Sequence, residues 1–86
     1  MYILQSGKTG KYYIGSTGDL QVRLIEHNTG KSPYTRHRGP WKMIYSESFT
    51  ELSFARNREQ EIKAWKNPGY MVKVLELDTN WEERPD

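Results

Sequence analysis

Eighty-six residues make one domain, close to the lower size at which a core holds without covalent staples. The absence of cysteine excludes a disulfide framework and a thiolate metal site, and fits a reducing compartment. No apolar run approaches the ~20 residues of a membrane span, and the Met1–Leu4 stretch is too short for a secretory leader, so a cytoplasmic protein with no membrane partner is expected.

The formal charge of +2 hides an asymmetry. Lys8, Lys11, Arg23, Lys31, Arg36, Arg38 and Lys42 face only Asp19 and Glu26 in the first 45 residues, a net of +5, whereas the remainder nets −3. A basic first half points to a polyanionic partner there, although many solvated surfaces are as uneven.

In chain order, residues 2–16 read as a β-hairpin with its turn at Ser6–Gly10. Alternation puts Tyr2 and Leu4 on one face and Ile3 on the other, and likewise separates Tyr13 and Gly15 from Tyr12 and Ile14. Whether Tyr2 and Tyr13 share a face depends on the register. Asp19 to Asn28 reads as an amphipathic helix capped by Asp19, with Leu20, Leu24 and Ile25 inward and Gly30 as its stop. Arg23 and His27 stand one turn apart on it; as isolated residues, both read as exposed polar positions.

The stretch from Lys31 to Lys42 has no apolar period and interleaves bases with aromatics. Lys31, Arg36, Arg38, Trp41 and Lys42 suit phosphates and unstacked bases, unless the stretch is an ordinary solvated loop with Trp41 turned into the core. Lys42 to Phe49 alternates as a third strand. A helix capped by Thr50 then runs to about Lys66, its inward stripe being Leu52, Ala55, position 59 and Ile62, flanked by Phe54 and Trp65. Position 59 is Glu. A carboxylate against a core costs several kcal/mol unless it is paired or bound to metal. A salt bridge to Arg23 or Arg56, a rotated helix and a metal ligand compete, and the residues alone rank the metal last. Pro68 opens a third helix carrying Met71, Val74 and Leu75. Residues 79–86 form a polar tail with Trp81 as its anchor, leaving 1–78 as the domain.

With Tyr2, Tyr13 in Tyr-Ile-Gly, Arg23, His27 and Glu59 in that order, the chain resembles the GIY-YIG nuclease superfamily. The likeness is to a small stand-alone bacterial group related to the N-terminal nuclease domain of the excision-repair subunit UvrC. It runs through Tyr2–Ser6, Lys11–Thr17, Asp19-Leu20, Arg23-Leu24, Glu26–Asn28, Gly30–Ser32, Pro40–Lys42, Arg58-Glu59 and Ile62–Lys66. Met1 stands where the first motif has glycine. The resemblance implies an α+β fold, a three-stranded antiparallel sheet packed with about three helices. It also implies divalent-metal-dependent hydrolysis of DNA phosphodiester bonds, with a single Mg²⁺ or Mn²⁺ on Glu59 and no organic cofactor. Tyr2, Tyr13, Arg23, His27 and Glu59 take the catalytic positions, with Tyr2 ahead of Tyr13 as the base. The alternative is a nucleic-acid-binding module of the same fold that cuts little or not at all.

Overall fold

The computed structural model describes residues 1–77; the proposed tail, Trp81 included, lies outside them. Three strands, β1 (Tyr2–Ser6), β2 (Tyr12–Gly15) and β3 (Trp41–Ser46), form an antiparallel sheet in the order β2-β1-β3. Helices α1 (Leu20–Asn28), α2 (Leu52–Ala64) and α3 (Pro68–Leu75) complete the expected α+β fold. With β1 in the middle, residues 1–6 are all buried.

Side-chain alternation sorts two cores onto the two sheet faces. Ile3 joins Ala55, Ile62, Met71 and Leu77 from the α2–α3 side, with Tyr12, Ile14, Ile44 and Tyr45 packed against them. Tyr2, Leu4 and Trp41 form the other core, flanked by Tyr13, Met43 and the α1 residues Leu20 and Leu24. The register pairs Tyr2 with Gly15 and Leu4 with Tyr13, which puts both phenols on the α1 face.

Local chemistry sets the ends of the elements. The Ser6 hydroxyl oxygen accepts from the amides of Lys8 and Thr9, and Gly10 takes the left-handed conformation (φ 75°) that closes the turn. Asp19 caps α1 by accepting from the Val22 amide, and Asn67 caps α3 by accepting from the Tyr70 amide.

Several expectations need correction. Thr50 does not cap α2; Glu51 holds the cap position without a side-chain bond, and the helix ends at Ala64 because Lys66 turns left-handed (φ 55°). Ile25 is 61% exposed, and Leu52 and Phe54 also face outward. The stripe of α1 is Leu20, Leu24 and His27, an i, i+4, i+7 line that Ile25 leaves by one 100° step.

Candidate active site

Gly15 ends β2 where an added Cβ would lie 2.6 Å from the Tyr2 hydroxyl oxygen, so only a glycine leaves room for that phenol. Tyr2 sits on the central strand, 1% exposed, with its ring centroid 6.3 Å from that of Tyr13. From α1, His27 comes in beneath both rings, 4.8 Å from Tyr13 between centroids. Its Nε2 is 2.8 Å from the Tyr2 hydroxyl oxygen and its Nδ1 is 2.7 Å from Thr35 Oγ1. His27 is therefore a core residue, 1% exposed, and not the surface histidine that its helix spacing first suggested.

Arg23, one turn earlier on α1, pairs with Glu26 at 3.3 Å and is electrostatically coupled to the Tyr2 and Tyr13 phenols. The electrostatics follow from burial. Desolvation raises the Tyr2 phenol above its usual range, the Arg23 hydrogen bond opposes it, and Tyr13 and Glu59 add to the rise. The Tyr2 hydrogen bond in turn strengthens the hold of Arg23 on its proton. Burial lowers His27, helped by Arg23 and opposed by Glu26, so the imidazole is neutral at neutral pH.

A lowered histidine makes folding pH-dependent with a definite sign. The unfolded chain takes up a proton near pH ~6.5 that the folded chain refuses, so stability present above that pH is lost as pH falls through it. Urea midpoints of wild type are expected to drop from pH 7.5 towards 5, and those of His27→Gln to stay flat there. An equal slope in both would remove His27 as the cause. Glu47 acts in a separate window. Burial works against its ionisation, yet hydrogen bonds from Tyr45 and Arg58 outweigh it and hold the carboxyl below 4.5, so its contribution is lost only as pH falls further.

Glu59 reaches the end of the sheet from α2, its side chain 14% exposed. Its Oε1 accepts from the Ser16 hydroxyl at 2.7 Å, directly after Gly15, and its Oε2 is paired with the Lys63 ammonium. Neither Arg23 nor Arg56 supplies the salt bridge considered from sequence; Lys63, four residues on, does. The preceding residue fixes the helix: Arg58 bonds Glu47 from Nε at 3.1 Å and Nη2 at 3.2 Å, tying α2 to the segment after β3. No three of His, Cys, Asp and Glu gather as a metal cluster around Glu59 or elsewhere among the described residues. One carboxylate beside a hydroxyl, already carrying a cation on its second oxygen, is a hard-oxygen donor set that fits Mg²⁺ or Mn²⁺. Such ions keep several waters and take one or two protein carboxylates.

The loop residues divide. Lys31, Arg36 and Arg38 are exposed, as is Lys42 at the start of β3, and Lys8 of the hairpin turn joins this side through a bond to the His37 carbonyl. Trp41 is corrected: it is 6% exposed, donates its indole N–H to the Thr35 carbonyl at 3.0 Å and packs in the α1-side core. It is no stacking platform for bases. The exposed aromatic of the loop is Tyr34, at 72%. Asn28, Thr35, Ser16 and Lys63 were not singled out from sequence. Only Lys63 carried a signal, the i, i+4 spacing from Glu59.

The chain belongs to the GIY-YIG family: the family model described as the GIY-YIG catalytic domain matches residues 1–71. Its relatives include a UPF0213 protein of Streptococcus pneumoniae, 44% identical over 79% of this chain and 69% of the relative. Others are UPF0213 proteins of Staphylococcus epidermidis, 42% identical over 78% and 83%, and of Halobacterium salinarum, 42% identical over 73% and 82%. No solved structure matches the chain. These names carry no reaction; the family supplies the nuclease class, and no helix among the described residues is long and apolar enough to cross a membrane.

Proposed function

We propose that the chain is a divalent-metal-dependent endonuclease that hydrolyses DNA phosphodiester bonds with low sequence specificity. The observation that carries this reading is the buried Tyr2 hydroxyl, 2.8 Å from His27 Nε2 on the sheet face it shares with Tyr13 and within the electrostatic influence of Arg23. A phosphodiester resists attack because it is anionic, so a site must supply a base and absorb charge that grows in the transition state. Tyr2 is the base. Its raised proton affinity leaves no standing phenolate, but none is needed: the oxygen takes a proton from water while its own proton passes to the neutral His27 Nε2. Arg23 directs a permanent forked charge at the phosphate oxygens. Glu59 and Ser16 would hold the cation, Lys63 swinging off on its exposed stem; bound there, Mg²⁺ or Mn²⁺ supplies Lewis-acid charge to the scissile phosphate.

The substrate is DNA, gripped through Lys31, Arg36, Arg38 and Lys42 along its phosphates. With Trp41 buried, Tyr34 is the aromatic left to meet a base, which supports poor sequence discrimination. A UvrC-like part in DNA repair, in the cytoplasm, accords with the Tyr-Ile-Gly to Arg58-Glu59 pattern and the absence of cysteine. Purified protein screened against supercoiled, linear and branched DNA with Mg²⁺, Mn²⁺ or chelator tests the reading. Tyr2→Phe should lose at least about 10²-fold of metal-dependent nicking. Tyr12→Phe, on the α2 face, should cut almost as wild type. Equal cutting by all three proteins would remove Tyr2 from the mechanism.

The second reading, a DNA-binding module with little cleavage, is favoured by the ammonium of Lys63 seated on Glu59, since it competes with a metal. Binding that weakens steeply with salt, without cutting in any divalent metal, would select it.

A further inference from the structure

We propose that Thr35 is a positioning residue that fixes His27 as the Nδ1–H tautomer and so keeps Nε2 open for the Tyr2 proton. The inference rests on the nuclease reading only for its kinetic consequence. The tautomer itself is argued from the buried line Tyr2 hydroxyl, His27 ring, Thr35 hydroxyl, with contacts of 2.8 and 2.7 Å. The Tyr2 hydroxyl stands 2.8 Å from His27 Nε2 in a buried contact, in which the phenol is taken as the donor. A neutral imidazole that accepts at Nε2 carries its hydrogen on Nδ1. That N–H is buried, and Thr35 Oγ1 at 2.7 Å is the acceptor facing it.

Thr35 is built into the fold to do this. It is 1% exposed, its carbonyl accepts from the Trp41 indole at 3.0 Å, and its amide donates to the Ser32 carbonyl at 3.3 Å. Trp41 is itself gripped at two points by the Asn28 carboxamide, which donates to the Trp41 carbonyl at 3.1 Å and accepts from its amide at 2.7 Å. The loop that sequence reads as an irregular basic tract therefore delivers one hydroxyl to the back of the imidazole. This is the part that the third member of a nucleophile–base–orienter series performs.

During reaction the Tyr2 O–H bond breaks and the His27 Nε2–H bond forms, while the water's proton rebuilds the phenol. The imidazolium so made still donates Nδ1–H to Thr35. The charged and titratable groups facing His27 are Arg23 and Glu26 from α1, Tyr2 from β1 and Tyr13 from β2. None of them approaches Nδ1 in the way Thr35 does. Removing the hydroxyl leaves Nδ1–H buried without an acceptor, so the ring shifts to the Nε2–H form, which cannot take the phenol's proton.

The test reads the ring nitrogens directly. With ¹⁵N-labelled histidine at pH 7.5, two-bond ¹H–¹⁵N correlation of wild type should show His27 protonated at Nδ1 and bare at Nε2. Thr35→Val, similar in volume, should move His27 towards the Nε2–H form and cut nicking roughly 10²-fold, and Thr35→Ser should restore most of both. A wild-type spectrum with the proton on Nε2 overturns the inference, even if no variant folds. So does a Thr35→Val protein of unchanged tautomer. If the tautomers behave as stated but wild type never cuts DNA, the positioning role stands and the nuclease reading falls.

Discussion

Replacing Glu59 by glutamine should abolish metal-dependent nicking, by roughly 10³-fold or more, while DNA binding at low salt stays within a factor of about two. Glutamine keeps the shape of the side chain and still offers Ser16 Oγ an acceptor, so the Ser16 bond at 2.7 Å survives. What disappears is the negative charge, and with it any hold on a hard cation. The fold should barely notice. The lost ion pair is with Lys63, 45% exposed and four residues along the same helix, and such pairs contribute only a few tenths of a kcal/mol. The proposed phosphate grip belongs to Lys31, Arg36 and Arg38 of the loop and Lys42 of β3, whereas Glu59 lies on α2. Nicking of supercoiled DNA in Mg²⁺ and fluorescence anisotropy of a labelled duplex separate the two effects. Wild-type cutting by Glu59→Gln would dismiss the metal site; joint loss of cutting and binding would mean that the carboxylate supports the surface and not the chemistry.

Glu59 stands out in sequence as a carboxylate on an apolar stripe, whereas His27 reads there as an exposed polar residue and the structure puts it on one. His27 and Glu59 occupy positions in helical stripes where an apolar side chain belongs, and a polar group retained there must have partners. The structure supplies them: Tyr2 and Thr35 for His27, Ser16 and Lys63 for Glu59. The pairing of Tyr2 with Tyr13 on one face was legible only as a conditional, because a one-residue slip of the hairpin exchanges the faces. The direction in which a helix turns its stripe was less legible. Periodicity yields the line Leu20–Leu24 but not its edge, so Ile25, which it reads as inward, is exposed; Leu52 fails likewise. Least visible was Thr35. It lies in a stretch without period, and its place behind His27 depends on the long-range placement of Trp41, buried against Leu4 and Tyr2 on β1. A basic tract punctuated by Pro33, Gly39 and Pro40 reads as surface. Most of it is, and the buried exceptions are set by contacts no local pattern encodes.

The most severe change in the fold itself should be the smallest one, Gly15→Ala. The backbone of Gly15 does not demand glycine, for it is not in the left-handed region that Gly10 and Gly30 adopt. The demand is for space. A Cβ at Gly15 would lie 2.6 Å from the Tyr2 hydroxyl oxygen, 2.7 Å from its Cζ and 3.1 Å from Tyr13 Cε1. Distances under 3 Å require something to move, and Tyr2 is poorly placed to do so. Its ring is 1% exposed on the central strand and its oxygen is bound to His27. Overpacking of this kind costs about 1–3 kcal/mol, and any relief comes from driving the phenol off His27. The same step at Gly18, where an added Cβ meets nothing within 4 Å, is the control; there alanine only reduces the freedom of the unfolded chain. Urea unfolding should show Gly15→Ala with a lowered midpoint and unchanged slope, and Gly18→Ala at or slightly above wild type. Nicking should fall at least tenfold in the first and hold in the second. A Gly15→Ala protein as stable and as active as wild type would mean that Tyr2 has room to spare, and a phenol with room to spare is not held by His27 as a base must be.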